Sequence, residues 1–333
     1  MMRSRLLRTG HALTELGLGV AQLGNLSRIV SDEDAESAVE AAWDAGIRYF
    51  DTAPHYGLGL SERRLGALVA DRPREEFVVS TKVGRLLEPD PDGAGRLDDE
   101  GFAVPATMRR VWDFTADGVR RSLDASLERL GLDRVDIVYI HDPDDHWKQA
   151  SAQAVPALVE LREQGVIGAI GVGMNQHEML TEFIRRSDID LVMCAGRYTL
   201  LEQPAADEML PLAQDRGVGV VIAGVYNSGL LATSRPRAQA TYDYAPADSV
   251  LVARVHAIAD ICEANGVALP DAAVAFPVLH PAVVSVVVGC RDGEQVDAAV
   301  SRYEAEIPTR LWTDLAEAGL LRPDLIPSSR ELT

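Results

Sequence analysis

Residues Tyr49–Gly66 read YFDTAPHYGLGLSERRLG. The stretch opens as a short apolar strand, YFDTA, breaks at Pro54, and passes through Gly57 and Gly59 into a helix expected over Ser61–Val69. Asp51 stands at the end of that strand and Tyr56 lies five positions on. Pro54 and Gly57 supply turn chemistry on either side of His55 and Tyr56, so an acid and a phenol are able to face one cavity. Whether this corner does chemistry or only joins a strand to a helix depends on what the rest of the chain brings to it.

Working outward, the strand-then-helix unit repeats. Upstream, residues Ser4–Leu16 read as a hairpin around Thr9-Gly10, followed by a strand GVAQLG from Gly19. Ser31 then caps a helix, with Asp32, Glu33 and Asp34 in its first turn, Ala35, Val39 and Ala42 at helical spacing, and Gly46 at its end. Downstream, FVVSTKVG (Phe77–Gly84) is a third strand. The Pro-, Gly- and Asp-rich segment Leu86–Val111 is too long for an ordinary connection and reads as a functional or partly mobile loop. Thr115–Leu130 is an amphipathic helix, VDIVYIHD (Val135–Asp142) a fourth strand, and a helix runs from about Ala152 to Gln164. AIGVGMN, LVMCAG, VGVVIAG and VSVVVGC are four further strands. Helices fall near Glu178–Arg185, Gln203–Arg216 and Ser249–Asn265, and another follows Gly293.

Eight apolar strands alternating with helices require a parallel sheet with helices outside it. No linker or change of composition splits the series, so residues 1–333 are expected to form one domain. Its class is α/β: a (β/α)8 TIM barrel with an N-terminal β-hairpin and a C-terminal tail. The competing fold, a doubly wound sheet, should carry a G-x-G-x-x-G turn. GLGVAQLG and GLGLSE place Gln22 and Glu62 where its third glycine belongs.

Charge and cysteine usage narrow the function. With 51 acids against 32 bases, a net charge of −19 makes nucleic acid and anionic membranes poor partners and leaves small molecules open. Cys194, Cys262 and Cys290 lie far apart in apolar runs, which suits buried thiols in a reducing compartment. MMRSRLLRTG is followed by no apolar leader segment, and no apolar run reaches membrane-spanning length. A cytoplasmic protein is expected. The oligomeric state is not fixed by these features.

In a barrel the carboxyl ends of the strands share one face, where chemistry belongs. The polar residues at those ends are Asp51 and Tyr56 from the second strand, Lys82 from the third and His141 from the fourth. A buried charge needs a partner, so Asp51 and Lys82 should pair. The bland alternative is an Asp–Lys pair closing the barrel, with Tyr56 packed on the surface and His141 a satisfied core histidine. Four such residues on neighbouring strand ends argue for a site. An ammonium beside a phenol favours the phenolate, and such a phenol suits proton exchange with an oxygen on a carbon that exchanges hydride. The hydride itself requires a cofactor.

FDTAPHYG with SERRLG, then STKVG, IVYIHD, IGVGMN and VVVGCRDGEQV resemble, in order and from about Gly17 to Tyr303, the aldo-keto reductase superfamily. DTAPHYGLGLSERRLG and HDPDD are similar to its branch of fucose, threo-aldose and pyridoxal dehydrogenases. The resemblance implies Tyr56 as general acid and base, Lys82 and Asp51 as its tuning pair, and His141 as the residue orienting the substrate. It also implies NAD or NADP lying across the barrel mouth, with no metal. The nicotinamide would lie near Asn175, the pyrophosphate near Gly224, Tyr226, Asn227 and Ser228, and the adenosine near Gly289, Arg291 and Gln295. Arg291 suits a 2′-phosphate, whereas the neighbouring Asp292 tilts the expectation toward NAD.

The substrate expected is a small carbonyl compound or sugar, with Asp142 accepting its hydroxyls or belonging to a solvated acidic turn, and Trp112 and Trp147 either stacking on a sugar ring or merely packing. Three alternatives stand beside a sugar or pyridoxal-type dehydrogenase. They are a general aldehyde or ketone reductase, a cofactor-sensing subunit without catalysis, and a hydrolase binding metal through His141–His146, HDPDDH.

Overall fold

The computed structural model describes residues 2–93, 95–236, 241–242 and 245–326. Eight strands close a parallel barrel in chain order. They are β1 (Leu16–Gly19), β2 (Tyr49–Asp51), β3 (Val78–Val83), β4 (Val135–His141), β5 (Ile167–Met174), β6 (Leu191–Ala195), β7 (Gly219–Ala223) and β8 (Val283–Gly289), with β8 pairing back onto β1. Around them run α1 (Asp32–Asp44), α2 (Leu60–Val69), α3 (Ala116–Leu130), α4 (Val155–Glu163), α5 (His177–Arg186), α6 (Met209–Arg216), α7 (Ser249–Ala264), α8 (Leu269–Ala275), α9 (Gly293–Glu304) and α10 (Thr309–Glu317). Both strand faces are covered, which is why β3 is buried at every position and β4 at all but one.

The chain builds two apolar layers. Leu16, Phe50, Val79, Ile140 and Ile222 pack outward against the helices. Tyr49, Tyr139, Ala169, Val221 and Val287 fill the barrel, and Leu7 and Leu13 join that inner cluster from the opening hairpin, Ser4–Leu6 with Ala12–Thr14. The two inner tyrosine rings fit because glycines face them. A Cβ at Gly171 would lie 2.4 Å from the Tyr139 ring, and one at Gly17 2.8 Å from that of Tyr49.

Four expectations are corrected. The first barrel strand is Leu16–Gly19 rather than GVAQLG, because Leu16–Gly19 pairs with β8 while Ala21–Gly24 turns as a 3-10 helix. The Leu86–Val111 segment, expected as a functional or partly mobile loop, contains paired strands rather than loop alone. Arg85–Pro89 pairs antiparallel with Met108–Trp112, and Phe102 and Val104 pack with Leu58 beside the site. The helix expected over Gln203–Arg216 is broken into a 3-10 turn, Pro204–Ala206, and α6. Two helices, α8 and α10, had no counterpart in the sequence reading. No helix among the described residues is long and apolar enough to cross a membrane. The last residues of the expected C-terminal tail lie outside the described residues.

The turn after β2 sets the site. Gly57, Leu58 and Gly59 all have positive φ, and a Cβ at Gly57 would meet the Gly24 carbonyl oxygen at 2.2 Å. Glycine there lets the backbone lean on the Ala21–Gly24 turn and delivers Tyr56 to the barrel mouth.

Candidate active site

Parallel pairing brings the four strand-end residues together. Asp51 is level with Ser80, and Lys82 is level with Tyr139, two residues before His141. Lys82 donates to Asp51 Oδ2 at 2.6 Å and to the Thr52 carbonyl at 2.9 Å, with both ionic side chains buried. Its Nζ stands 4.7 Å from the centre of the Tyr56 ring, and the Tyr56 and His141 rings meet edge to face at 5.9 Å.

Electrostatics refine the sequence reading of Tyr56. Burial raises its phenol above the ordinary value, Lys82 pulls it back down, and burial wins. Tyr56 therefore stands as a protonated acid near neutrality. Burial and the positive charges of Arg85 and Lys82 push the His141 imidazole well below its usual range, so it is neutral. Its Nδ1 is buried without a protein partner.

The structure adds a chain beneath the pair that the sequence did not disclose. Ser80 Oγ donates to Asp51 Oδ1 at 2.7 Å, and Tyr49 Oη lies 3.1 Å from Ser80 Oγ and 3.0 Å from Tyr139 Oη. A carboxylate only accepts, so each hydroxyl proton has one direction available. Tyr139 donates to Tyr49, Tyr49 to Ser80 and Ser80 to Asp51. Three buried hydroxyls thus terminate on one carboxylate.

A cavity of about 350 Å³ is lined by Arg85, Trp112, Asp142, Asp144, His146 and Asn175 among others, and its Asp142 Oδ2 lies 3.6 Å from His141 Nε2. Asp142, at φ 42, pairs with Arg85, whose guanidinium lies 4.4 Å from the Trp112 ring centre. Of the expected stacking residues, Trp112 borders the cavity. Trp147 does not: it packs on Phe183 at 4.5 Å, in the layer between strands and helices. In the HDPDDH loop, His146 stacks on Trp112 and lies tilted against Phe114 at 5.1 Å. Among the described residues no three His, Cys, Asp or Glu side chains gather as ligands for one ion.

The residues proposed for a dinucleotide form an arc over the other half of the mouth. Asn175 follows β5, Asn227 follows β7 and Arg291 follows β8. Asn227 Oδ1 and Arg291 Nε are buried without protein partners, as is Oε1 of Gln22, just after β1, a residue the sequence reading passed over. Gly289 is exposed, and a Cβ there would strike the Gln22 amide at 2.4 Å. Orphaned donors and acceptors on neighbouring strand ends fit an extended polar cofactor. Gly224 and Ser228 are exposed beside them. Two members of the set are engaged elsewhere. The Tyr226 hydroxyl accepts from Arg302, and Gln295 bonds the Arg291 amide and the Asp292 side chain. Asp292 caps α9 through the Gln295 amide, which accounts for an acid at that position.

Such a barrel, with a phenol, a Lys–Asp pair and a neutral imidazole at its mouth beside a polar arc, defines a class of oxidoreductases that exchange hydride between carbonyl carbons and a nicotinamide. The aldo/keto reductase family's sequence model matches residues 15–319, and the chain belongs to that family. It is 51% identical over 315 residues to a D-threo-aldose 1-dehydrogenase from Pseudomonas sp, covering 94% of this chain and 96% of that one. It is 42% identical over 333 residues to pyridoxal 4-dehydrogenase from Microbacterium luteolum, with the same coverage of 94% and 96%. Among solved structures, the holo form of an aldo-keto reductase from Bacillus halodurans superposes with a TM-score of 0.74 at 25% identity, over 95% of this chain and 96% of that one. The chain is an NAD(P)-dependent oxidoreductase of CH–OH groups and their carbonyls.

Proposed function

We propose that the protein oxidises a neutral aldose at its anomeric carbon, using Tyr56 as the proton-exchanging group. The observation that carries the substrate reading is the lining of the cavity. Asp142, Asp144 and Asp145 offer acceptors for hydroxyl protons, and Trp112 offers a flat apolar face for a sugar ring. Similarity to a D-threo-aldose 1-dehydrogenase supports it. A pyridoxal-type alcohol is the second reading, favoured by the 42% identical relative and by the same aromatic face.

Each side chain has a part. When bound, the nicotinamide accepts the hydride. Tyr56, as phenolate, takes the proton from the anomeric hydroxyl, or as phenol returns it to the carbonyl oxygen. Lys82 stabilises the phenolate, and Asp51 holds the ammonium in place. Ser80, Tyr49 and Tyr139 hold Asp51. Neutral His141 hydrogen-bonds the reacting oxygen and orients it. Gln22, Asn175, Asn227 and Arg291 would hold the cofactor.

Asp292 beside Arg291 favours NAD. Arg28, close enough to repel the Arg291 guanidinium, offsets that, so the preference is read as weak. Three buried, unpaired thiols suit a reducing cytoplasm. The test is reduction of NAD⁺ and NADP⁺ followed at 340 nm with fucose, arabinose and pyridoxal. Turnover of an aldose supports the first reading, and turnover of pyridoxal alone the second. Binding of cofactor with turnover of none would make the chain a cofactor-sensing subunit.

A further inference from the structure

His55, one residue before Tyr56, is held by a network that fixes its proton. Arg110 Nε donates to His55 Nδ1 at 2.6 Å. The same guanidinium grips the His55 carbonyl at 3.0 Å and binds both oxygens of Asp98, at 2.6 and 3.0 Å. Arg110 and Asp98 are both buried, so the donor facing Nδ1 is rigid. A guanidinium cannot accept a proton back, and Nδ1 must therefore carry the lone pair. Burial, then Arg85, Arg110 and Lys82, push the imidazole down to about 2, so the ring is neutral. A neutral ring with a lone pair on Nδ1 has its only N–H at Nε2.

That N–H has no protein acceptor among the described residues. The ring lies against three others: Phe102 at 5.2 Å edge to face, His141 at 5.6 Å and Tyr56 at 5.9 Å. Phe102 closes an apolar side, and the remaining neighbours are the two rings that flank the reacting oxygen in the reading above. With its ring centre this close to both, the His55 ring carries an unpaired donor that is placed to meet the next polar atom of the substrate.

We propose that His55 Nε2–H is a substrate-reading donor to the hydroxyl oxygen on the carbon adjacent to the reacting one. The protein is thereby selective for α-hydroxy aldehydes and for aldoses bearing a C2 hydroxyl. The inference rests on the dehydrogenase reading of the same site. It assigns Arg110, with Asp98, as the positioning residue that keeps the proton on Nε2. The docked segment 85–112 then contributes to specificity through His55, in addition to walling the cavity.

The experiment compares kcat/KM of wild type, His55→Phe and His55→Gln on two substrate pairs. D-Arabinose is set against 2-deoxy-D-ribose in oxidation, and glyceraldehyde against propanal in reduction. The wild type is expected to favour the hydroxylated member of each pair. His55→Phe should lower kcat/KM on that member about tenfold, the weight of one neutral hydrogen bond, and leave the deoxy member within about twofold. His55→Gln, which keeps a side-chain N–H, should recover part of the preference. Thermal melts of the variants separate misfolding from lost recognition. Equal losses on both members of a pair, by a folded variant, overturn the proposal alone. Wild type that turns over none of the four compounds overturns the dehydrogenase reading and this proposal with it.

Discussion

Lys82 Nζ and Asp51 Oδ2 meet at 2.6 Å across adjacent barrel strands, almost sealed from water. Each charge is tolerable there only because of the other. Asp51→Leu alone should destabilise the fold by about 3–5 kcal/mol, because it strands a buried ammonium. The double variant Asp51→Leu/Lys82→Met removes both charges and should recover most of that stability. Activity should stay lost in both. Denaturant midpoints and kcat, measured on the same samples, separate the two effects. A double variant no more stable than Asp51→Leu would show that the pair is not the source of the loss.

Tyr56→Phe removes the proton-exchanging oxygen and keeps the ring that Lys82 faces. Turnover should fall by about 10²–10⁴-fold while cofactor affinity, read by fluorescence titration, stays within about twofold. The phenol lies above its ordinary value, so the base form grows only as pH rises. Oxidation by wild type should accelerate into the alkaline range. Lys82→Met should move that limb further alkaline, since the ammonium that pulls the phenol down is gone.

The hydroxyl chain from Tyr139 to Asp51 makes a separate prediction. Ser80→Ala takes a donor from Asp51 and leaves the Tyr49 hydroxyl without its acceptor. It should cost about 1–3 kcal/mol for the orphaned group and lower kcat several-fold without changing cofactor affinity. Ser80→Thr keeps the hydroxyl and should restore kcat. If Ser80→Ala melts lower but keeps full kcat, the chain supports the fold and not the site.

The same chain shows where sequence reading stops. Asp51, Lys82 and His141 stood out because each interrupts or ends an apolar run, and β strands that lose their apolar pattern at one end point to the barrel mouth. Tyr49, Ser80 and Tyr139 sit inside such runs and look like ordinary core until closure of the barrel sets their hydroxyls face to face. Arg85, Phe102 and Arg110 were concealed for a different reason. Prolines, glycines and aspartates make 86–111 read as a functional or partly mobile loop, whereas the pairing of Arg85–Pro89 with Met108–Trp112 and the burial of the Arg110–Asp98 ion pair are tertiary facts. For Trp147 the sequence leaves stacking on a sugar and plain packing both open, because a tryptophan after a strand has two faces to choose from. Phe183 on α5, distant in sequence, decides which.

Neutral, buried histidines also predict how acid acts on the fold. His55, depressed to about 2, and His141, depressed well below normal, stay unprotonated in the folded chain while the unfolded chain takes up protons near pH 6.5. The unfolded state then binds more protons, so stability present above about pH 6.5 is lost as pH falls. Each histidine adds a slope of at most about 1.4 kcal/mol per pH unit. Melting temperature should drop between pH 7 and pH 5, and His55→Gln and His141→Gln should each flatten the drop. A slope unchanged in both would mean that neither ring remains neutral in the folded protein.

Cofactor choice turns on three charges at the end of β8. Arg291 is partly buried with Nε unpaired, and Arg28 lies close enough to repel it. Asp292 is held by α9 through both of its oxygens, so it cannot swing aside to make room for a phosphate. Two cations against one fixed anion should leave NADH and NADPH affinities within about tenfold, or ~1.4 kcal/mol. Arg28→Ala should weaken NADPH several-fold more than NADH, because a 2′-phosphate interacts with a surface cation that adenosine alone does not need. Arg291→Ala should weaken both. Fluorescence titration of each variant with each cofactor measures these ratios without turnover. An Arg28→Ala variant whose NADPH-to-NADH ratio matched wild type would remove Arg28 from the cofactor site and leave Arg291 and Asp292 to set the preference.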